Sequence, residues 1–155
     1  GFKILMHCKA GRASKALETL KKIMPDSERN PSARSGAEPY VFTNCYSTHP
    51  GYYGKSYQSW TTGTSVWCMM GVYEGIMGVK RDYRGLRIEP CFPAGWEEAE
   101  VTRHFRGADY HIVVRNPEHL ENGRATIHVD GKICPDSVLP DFRDGWRHEV
   151  EVLLG

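Results

Sequence analysis

The sequence predicts an α+β protein with helices first and strands afterwards. Three observations carry this. Apolar residues recur at helical spacing as far as residue 78, apolar and polar residues alternate from residue 84 onward, and Asp-Gly pairs punctuate the alternating stretch. Helices then strands, rather than strict alternation of the two, separates α+β from α/β architecture.

The first 24 residues read as two short helices. Ile4, Leu5 and Cys8 form one apolar set, and Ala13, Ala16, Leu17, Leu20, Ile23 and Met24 form the next. Gly11 breaks the run, Ser14 is the expected cap of the second helix, and Pro25 ends it. Residues 25–62 are expected to be mostly loop, rich in Pro, Ser, Asn and Gly, with a short extended piece at Tyr40-Val41-Phe42. Residues 64–78 form the best helical pattern, with Val66, Met69, Met70, Tyr73, Ile76 and Met77 on one stripe and Gly78 as its stop. That stripe reads as core rather than as a cofactor site. From residue 84 on, Val101, Arg103 and Phe105 alternate with Thr102, His104 and Arg106. Tyr110, Ile112 and Val114 continue the pattern, followed by Ala125, Ile127 and Val129, and by Val150, Val152 and Leu154. Asp130-Gly131 and Asp144-Gly145 mark turns. The expectation is an antiparallel sheet or sandwich, with the chain divided into residues 1–83 and 84–155.

Composition excludes several classes. The formal net charge is +1, so no basic field points to nucleic acid or a membrane surface. No run of about 18 apolar residues is present to span a bilayer, and no signal-peptide pattern is visible at Gly1-Phe2-Lys3. The five cysteines are dispersed and lack any CxxC pair, which predicts free, buried thiols in a reducing, cytoplasmic setting rather than a zinc site. The chain opens on Gly inside a helical pattern, which suggests a piece of something longer.

The stretch with the clearest chemistry is Gln58-Ser59-Trp60-Thr61-Thr62-Gly63-Thr64. A Ser/Thr/Gly turn opening into a helix presents unpaired backbone N–H groups and the positive end of the helix dipole, which suits an anion such as phosphate. Thr62 and Thr64 add hydroxyls, and Gly63 allows close approach. The competing reading is an ordinary helix cap at Thr64 or Ser65.

The segments Glu38-Pro39-Tyr40-Val41, His49-Pro50, Ser59 to Thr64, Glu74 to Val79, Tyr83 to Cys91 and Phe105-Arg106-Gly107-Ala108 together resemble glycoside hydrolase family 94. This family comprises cellobiose, laminaribiose, cellodextrin, chitobiose and β-1,2-glucan phosphorylases. The resemblance implies the last helices of an (α/α)6 barrel followed by a C-terminal β-rich module. It implies inverting phosphorolysis of a β-linked glucose disaccharide or oligosaccharide to α-glucose 1-phosphate, with inorganic phosphate as co-substrate, no other cofactor, and a homodimeric parent. It assigns phosphate binding to Thr62 and Gly63, with Asn44 as a phosphate or sugar contact. It puts the general-acid Asp upstream of this segment.

Four residues keep two readings each. Trp60 stacks on a sugar or fills a core, Thr64 caps the helix or supports the site, His49 lines the site mouth or is a solvated loop residue, and Glu38 is a buried structural partner rather than the acid. His7 is expected on a helix surface or interface. The alternatives to a phosphorylase segment are a non-catalytic carbohydrate-binding or structural module and, more remotely, a Cys/His hydrolase.

Overall fold

The computed structural model describes residues 1–155. Helices α1 (Phe2–Lys9) and α2 (Ala13–Lys21) lie side by side, and Gly11, with φ +67°, makes the turn between them. The residue flanking α2 is Arg12, and no side chain caps that helix. The Ser14 cap is therefore a correction: the helix starts earlier, and the backbone N–H of Ser14 bonds instead to the Glu121 carboxylate at 3.3 Å. A one-turn α3 (Ser32–Ser35) and a minimal hairpin of β1 (Cys45–Tyr46) and β2 (Ser56–Tyr57) occupy the long loop. Tyr40-Val41-Phe42 forms no strand.

The next helix differs from the single α-helix read from the sequence. α4 runs over Thr64–Met70 and continues as a wider π-helical turn over Gly71–Ile76, where the Met77 N–H reaches back five residues to the Val72 carbonyl. Two glycines bring α1 close here. A Cβ on Gly71 would lie 2.8 Å from Ile4 Cγ2, and one on Gly75 would lie 2.9 Å from Cys8 Sγ. The apolar stripe divides accordingly: Ile76 and Met77 are buried, whereas Val66 and Met69 are more than half exposed beside the exposed Phe2 and Met6 of α1.

The C-terminal part holds a hairpin, β3 (Val79–Arg81) with β4 (Leu86–Ile88), packed on a five-stranded sheet. The strands are β5 (Glu98–Phe105), β6 (Ala108–Arg115), β7 (Ala125–Val129), β8 (Lys132–Cys134) and β9 (Arg147–Leu154), in the order β5-β6-β9-β7-β8. Three of its pairings are antiparallel, as expected, but β6 and β9 run parallel. The sheet is therefore mixed, because the last strand inserts between β6 and β7 instead of adding at an edge. Period two is obeyed in β5, β6, β7 and β9. Tyr110, Ile112 and Val114 of β6 and Val150, Val152 and Leu154 of β9 face a core with Leu86, Ile88, Phe92 and Leu139. Each such aliphatic side chain contributes about 1.5–3 kcal/mol by leaving water.

A smaller core of Ile4, Ala16, Leu20, Cys68 and Ile76 serves the helices. The change from one core to the other falls between Ile76 and Met77, and the β3–β4 hairpin spans the expected division at residues 83/84. No helix is long and apolar enough to cross a membrane. Cys68 and Cys91 are buried free thiols, but Cys45 is exposed, so the expectation of uniformly buried cysteines is corrected. Of the two readings of His7, the surface one is corrected: it is buried, and its Nδ1 has no hydrogen-bond partner.

The joints of this fold can be tested at two positions. Gly78 has φ +68°, and a Cβ there would sit 2.1 Å from the Glu89 carbonyl, whereas Gly131 has φ +76° with open space around it. Gly78→Ala should therefore lower stability by about 2 kcal/mol or more, against about 1 kcal/mol for Gly131→Ala, as read from urea midpoints. The other position is His148, which is stacked on Phe142 at 3.6 Å between centroids and bonds Asp130 at 2.7 Å and Asp144 at 3.2 Å. Burial opposes its charge, yet the two carboxylates outweigh burial and raise its pKa. A raised folded-state pKa gives stability that is present below the unfolded value of about 6.5 and lost as pH rises through the folded value. The urea midpoint should thus fall as pH is raised from about 6 toward 8.5, and His148→Gln should flatten that slope.

Candidate functional site

The Thr62 segment leaves β2 and enters α4, so its geometry is fixed by the hairpin on one side and the helix on the other. Gly63 is the residue flanking the helix, and its carbonyl accepts the Trp67 N–H at 3.1 Å. The cap is made by Thr62: its Oγ1 accepts the Thr64 N–H at 3.0 Å and lies 2.7 Å from Thr64 Oγ1. The expectation that Thr64 or Ser65 caps the helix is corrected in this respect, because Thr64 is the residue being capped. Thr62 caps the helix through one lone pair, and the paired hydroxyls leave a second acceptor or donor position at the helix start.

Gly63 is exposed, with an ordinary φ of −85°; a Cβ there would first meet Trp67 Cδ1 at 3.6 Å. Neither backbone conformation nor packing within this chain demands glycine. What glycine provides is a backbone that a ligand can approach from the solvent side.

Around this turn the structure assembles a second layer. The Asn44 amide donates from Nδ2 to Gln58 Oε1 at 2.9 Å, and the Asn44 backbone N–H bonds the Gln58 carbonyl at 3.3 Å. Gln58 itself has φ +54°, so the chain bends sharply just before the motif. Trp60 is 71% exposed within this chain. Its indole N–H donates to Glu38 Oε1 at 2.9 Å, and its ring meets Tyr40 edge-on at 6.3 Å. The pair gives Glu-Pro-Tyr a role that sequence spacing could not reveal. Glu38 is indeed a structural partner, though half-buried rather than buried. Hydrogen bonds from its own backbone N–H and from Trp60 hold its carboxyl below the usual carboxylate range. It is ionised at neutral pH and has no proton to give a leaving group.

His49 is not brought into this group. It sits at the tip of the β1–β2 hairpin, where its Nδ1 accepts the Gly51 N–H at 3.2 Å and caps the turn Pro50–Tyr52. Asn44 and Gln58 lie at the opposite, open end of that hairpin. Thr43, next to Asn44, is buried, and its Oγ1 is without a partner. A threonine between Phe42 and Asn44 carries no sequence pattern that could have flagged it. No group of three or more His, Cys, Asp or Glu is arranged to hold a metal. Asn44, His49, Trp60 and Thr62 to Thr64 line none of the larger cavities.

Comparisons with known proteins bear on this surface. The profile of the "Glycosyl hydrolase 94 superfamily, catalytic domain" matches residues 1–78. The chain is 41% identical over 153 residues to a solabiose phosphorylase of Paenibacillus borealis, covering 97% of this chain and 20% of that protein. It is 35% identical to a 3-O-beta-D-glucopyranosyl-beta-D-glucuronide phosphorylase of the same organism, covering 99% of this chain and 20% of that protein. It is 33% identical to an N,N'-diacetylchitobiose phosphorylase of Vibrio proteolyticus, covering 95% of this chain and 18% of that protein. The chain thus spans about a fifth of the length of these relatives.

The Thr62 cap is separable from any ligand. Thr62→Val, which keeps the shape and removes the acceptor, should lower stability by about 1 kcal/mol in urea denaturation without ligand, and Thr62→Ser should restore most of it.

Proposed function

This chain belongs to the glycosyl hydrolase 94 superfamily, and from that membership we propose that it forms the phosphate-holding wall of an inverting glycoside phosphorylase. In this reading residues 1–83 complete a helical (α/α)6 barrel and residues 84–155 form the β-rich C-terminal module. Thr62 and Gly63 hold inorganic phosphate, Thr64 supports Thr62, and Asn44, oriented by Gln58, flanks the anion. Trp60 presents its ring to a sugar.

The observation that carries the proposal is the start of α4. There the Thr62–Thr64 hydroxyl pair and the first free N–H groups of the helix sit on an exposed turn, beside a glycine whose missing side chain nothing in this chain requires. Such donors cradle a dianion and keep one phosphate oxygen in line with an anomeric carbon. That oxygen forms the new bond to carbon as the glycosidic C–O bond breaks on the opposite face. The product is an α-sugar 1-phosphate, and the leaving oxygen takes a proton from an acid. Phosphate is itself the nucleophile, so no second protein carboxylate is needed, unlike an inverting hydrolase. The ionised Glu38 is unsuited to be the acid, and we assign that group to a residue outside this chain.

The relatives differ in the sugars their names carry, a glucosyl glucuronide in one and diacetylchitobiose in another, while all are phosphorylases. That contrast favours the phosphate rather than the acceptor sugar as the common guest of this segment. A glucose-type donor, a homodimeric parent and a cytoplasmic location complete the proposal. The exposed Phe2, Met6, Val66 and Met69 are the face on which the rest of a barrel would pack.

The test is release of sugar 1-phosphate from β-linked glucose disaccharides by the full-length protein, with and without phosphate. Phosphate-dependent product is expected. Gly63→Ala should reduce kcat/KM for phosphate by roughly tenfold or more while lowering stability by only about 0.5–1 kcal/mol, the cost of alanine at a helix start. Unaltered phosphate dependence in that variant would remove Gly63 from the site.

A further inference from the structure

A large cavity lies away from the Thr62 turn. It measures about 680 Å³ and lies where α1, the π-helical turn and the segment after β4 converge, and two cysteines line it. Cys8 projects from α1 against Gly75, so close that a Cβ on Gly75 would sit 2.9 Å from its sulfur. Cys91 follows β4 and is tied to the same turn by a hydrogen bond from its backbone N–H to the Ile76 carbonyl at 3.0 Å. The two thiols, 83 positions apart in sequence, thus meet at one cavity, Cys8 against Gly75 and Cys91 held at the adjacent Ile76. Lys80, on β3, lines the same cavity, with its ammonium 3.1 Å from Glu89.

From this juxtaposition we propose that Cys8 and Cys91 are a redox modification site, a dithiol that closes to a disulfide on exposure to hydrogen peroxide. The roles within the pair are unequal. A Cys8 thiol proton shared with its sulfur favours the ionised form of Cys91, and Lys80 adds to this; together they outweigh burial and Glu121, so the Cys91 thiol is held below its usual pKa. The same sharing, together with burial, pushes the Cys8 thiol up. Cys91 is thus the nucleophile and Cys8 the resolving thiol that keeps its proton. Cys91 is 6% exposed, which suits an oxidant the size of water entering through the cavity rather than a bulky disulfide.

The chemistry closes. The Cys91 thiolate attacks peroxide, an S–O bond forms as the O–O bond breaks, and hydroxide leaves. Cys8 sulfur then attacks the Cys91 sulfenic acid, an S–S bond forms, the S–O bond breaks, and hydroxide departs as water with the Cys8 proton. Two thiols are oxidised and one peroxide is reduced to two waters. No metal competes for the pair, because no third ligand is placed beside it. The crosslink would clamp α1 to the exit of β4 and so join the helical core to the sheet core. It does not depend on the phosphorolysis reading.

The experiment is peroxide titration of the purified full-length protein, followed by non-reducing peptide mapping and thiol counting. A Cys45→Ser background removes the exposed competing thiol. The expected result is a linked Cys8–Cys91 peptide, two thiols lost per chain, reversal by dithiothreitol, and loss of the link in both Cys8→Ala and Cys91→Ala. The proposal is overturned if the intact-cysteine protein yields sulfinic acid on Cys91 without a link, if the link joins any other pair, or if neither thiol reacts under peroxide that oxidises Cys45 in the parent sequence. Because the mapping is done first on that parent, its outcome stands even where a variant fails to fold.

Discussion

Gly78 rests against the Glu89 carbonyl with no room between them for a side chain. The Gly78 carbonyl accepts the Glu89 N–H at 2.9 Å, and the Ile76 carbonyl accepts the Cys91 N–H at 3.0 Å. These two bonds bind the end of the long helix to the strand that returns beside it. The helical core ends at Ile76 and the sheet core begins at Met77, and Val72 and Trp96 pack against both. Contacts between Gly11 and Asn122 and between Ser14 and Glu121 brace this joint from the side. Anything α4 presents at its far end, the Thr62 turn included, inherits its orientation from this joint.

The sheet supplies the mass that makes the joint rigid. β9 lies in the middle of it, with β6 on one side and β7 on the other, so the last residues of the chain complete the most buried part of the structure. Its first turn is anchored by polar contacts: His148 reaches Asp130 in the β7–β8 turn and Asp144 in the turn before β9, and the Glu149 N–H bonds Asp130 Oδ1 at 3.0 Å. Tyr110, fully buried, has its hydroxyl satisfied by the Pro140 carbonyl at 2.7 Å, so that burying the ring strands no polar group. One face of the sheet is therefore apolar and closed. The other carries the exposed ion pair of Arg115 with Glu98, which adds little stability, and a hydrogen bond between His111 and Glu149 at 2.6 Å.

The helical half is built differently. Its core has five buried residues, and it relies on glycine-mediated closeness between α1 and the π-helical turn. The same closeness places the Cys8 sulfur at Gly75, within reach of Cys91, and leaves a polar cavity beside them. The Thr62 turn, by contrast, is exposed and depends on hydroxyl and amide contacts among near neighbours in the sequence.

Much of this was legible in the sequence. Two short helices, a long loop, a long helix stopping at Gly78 and period-two strands separated by Asp-Gly turns all follow from local periodicity, because burial of one face imposes a fixed spacing on apolar residues. The Thr62 turn was also legible, since helix starts have a recognisable chemistry. Strand partners were not: alternation in Val150, Val152 and Leu154 states which face is buried but not that β9 runs parallel to β6. The π-helical turn escaped because Gly71 and Gly75 act through α1, a distant segment. The burial of His7, the Glu38–Trp60 bond and the meeting of Cys8 with Cys91 escaped for the same reason. Local pattern fixed the elements and their apolar faces; which faces meet, in what register and beside which reactive group, depended on contacts between residues far apart in the chain, and only the tertiary structure decides those.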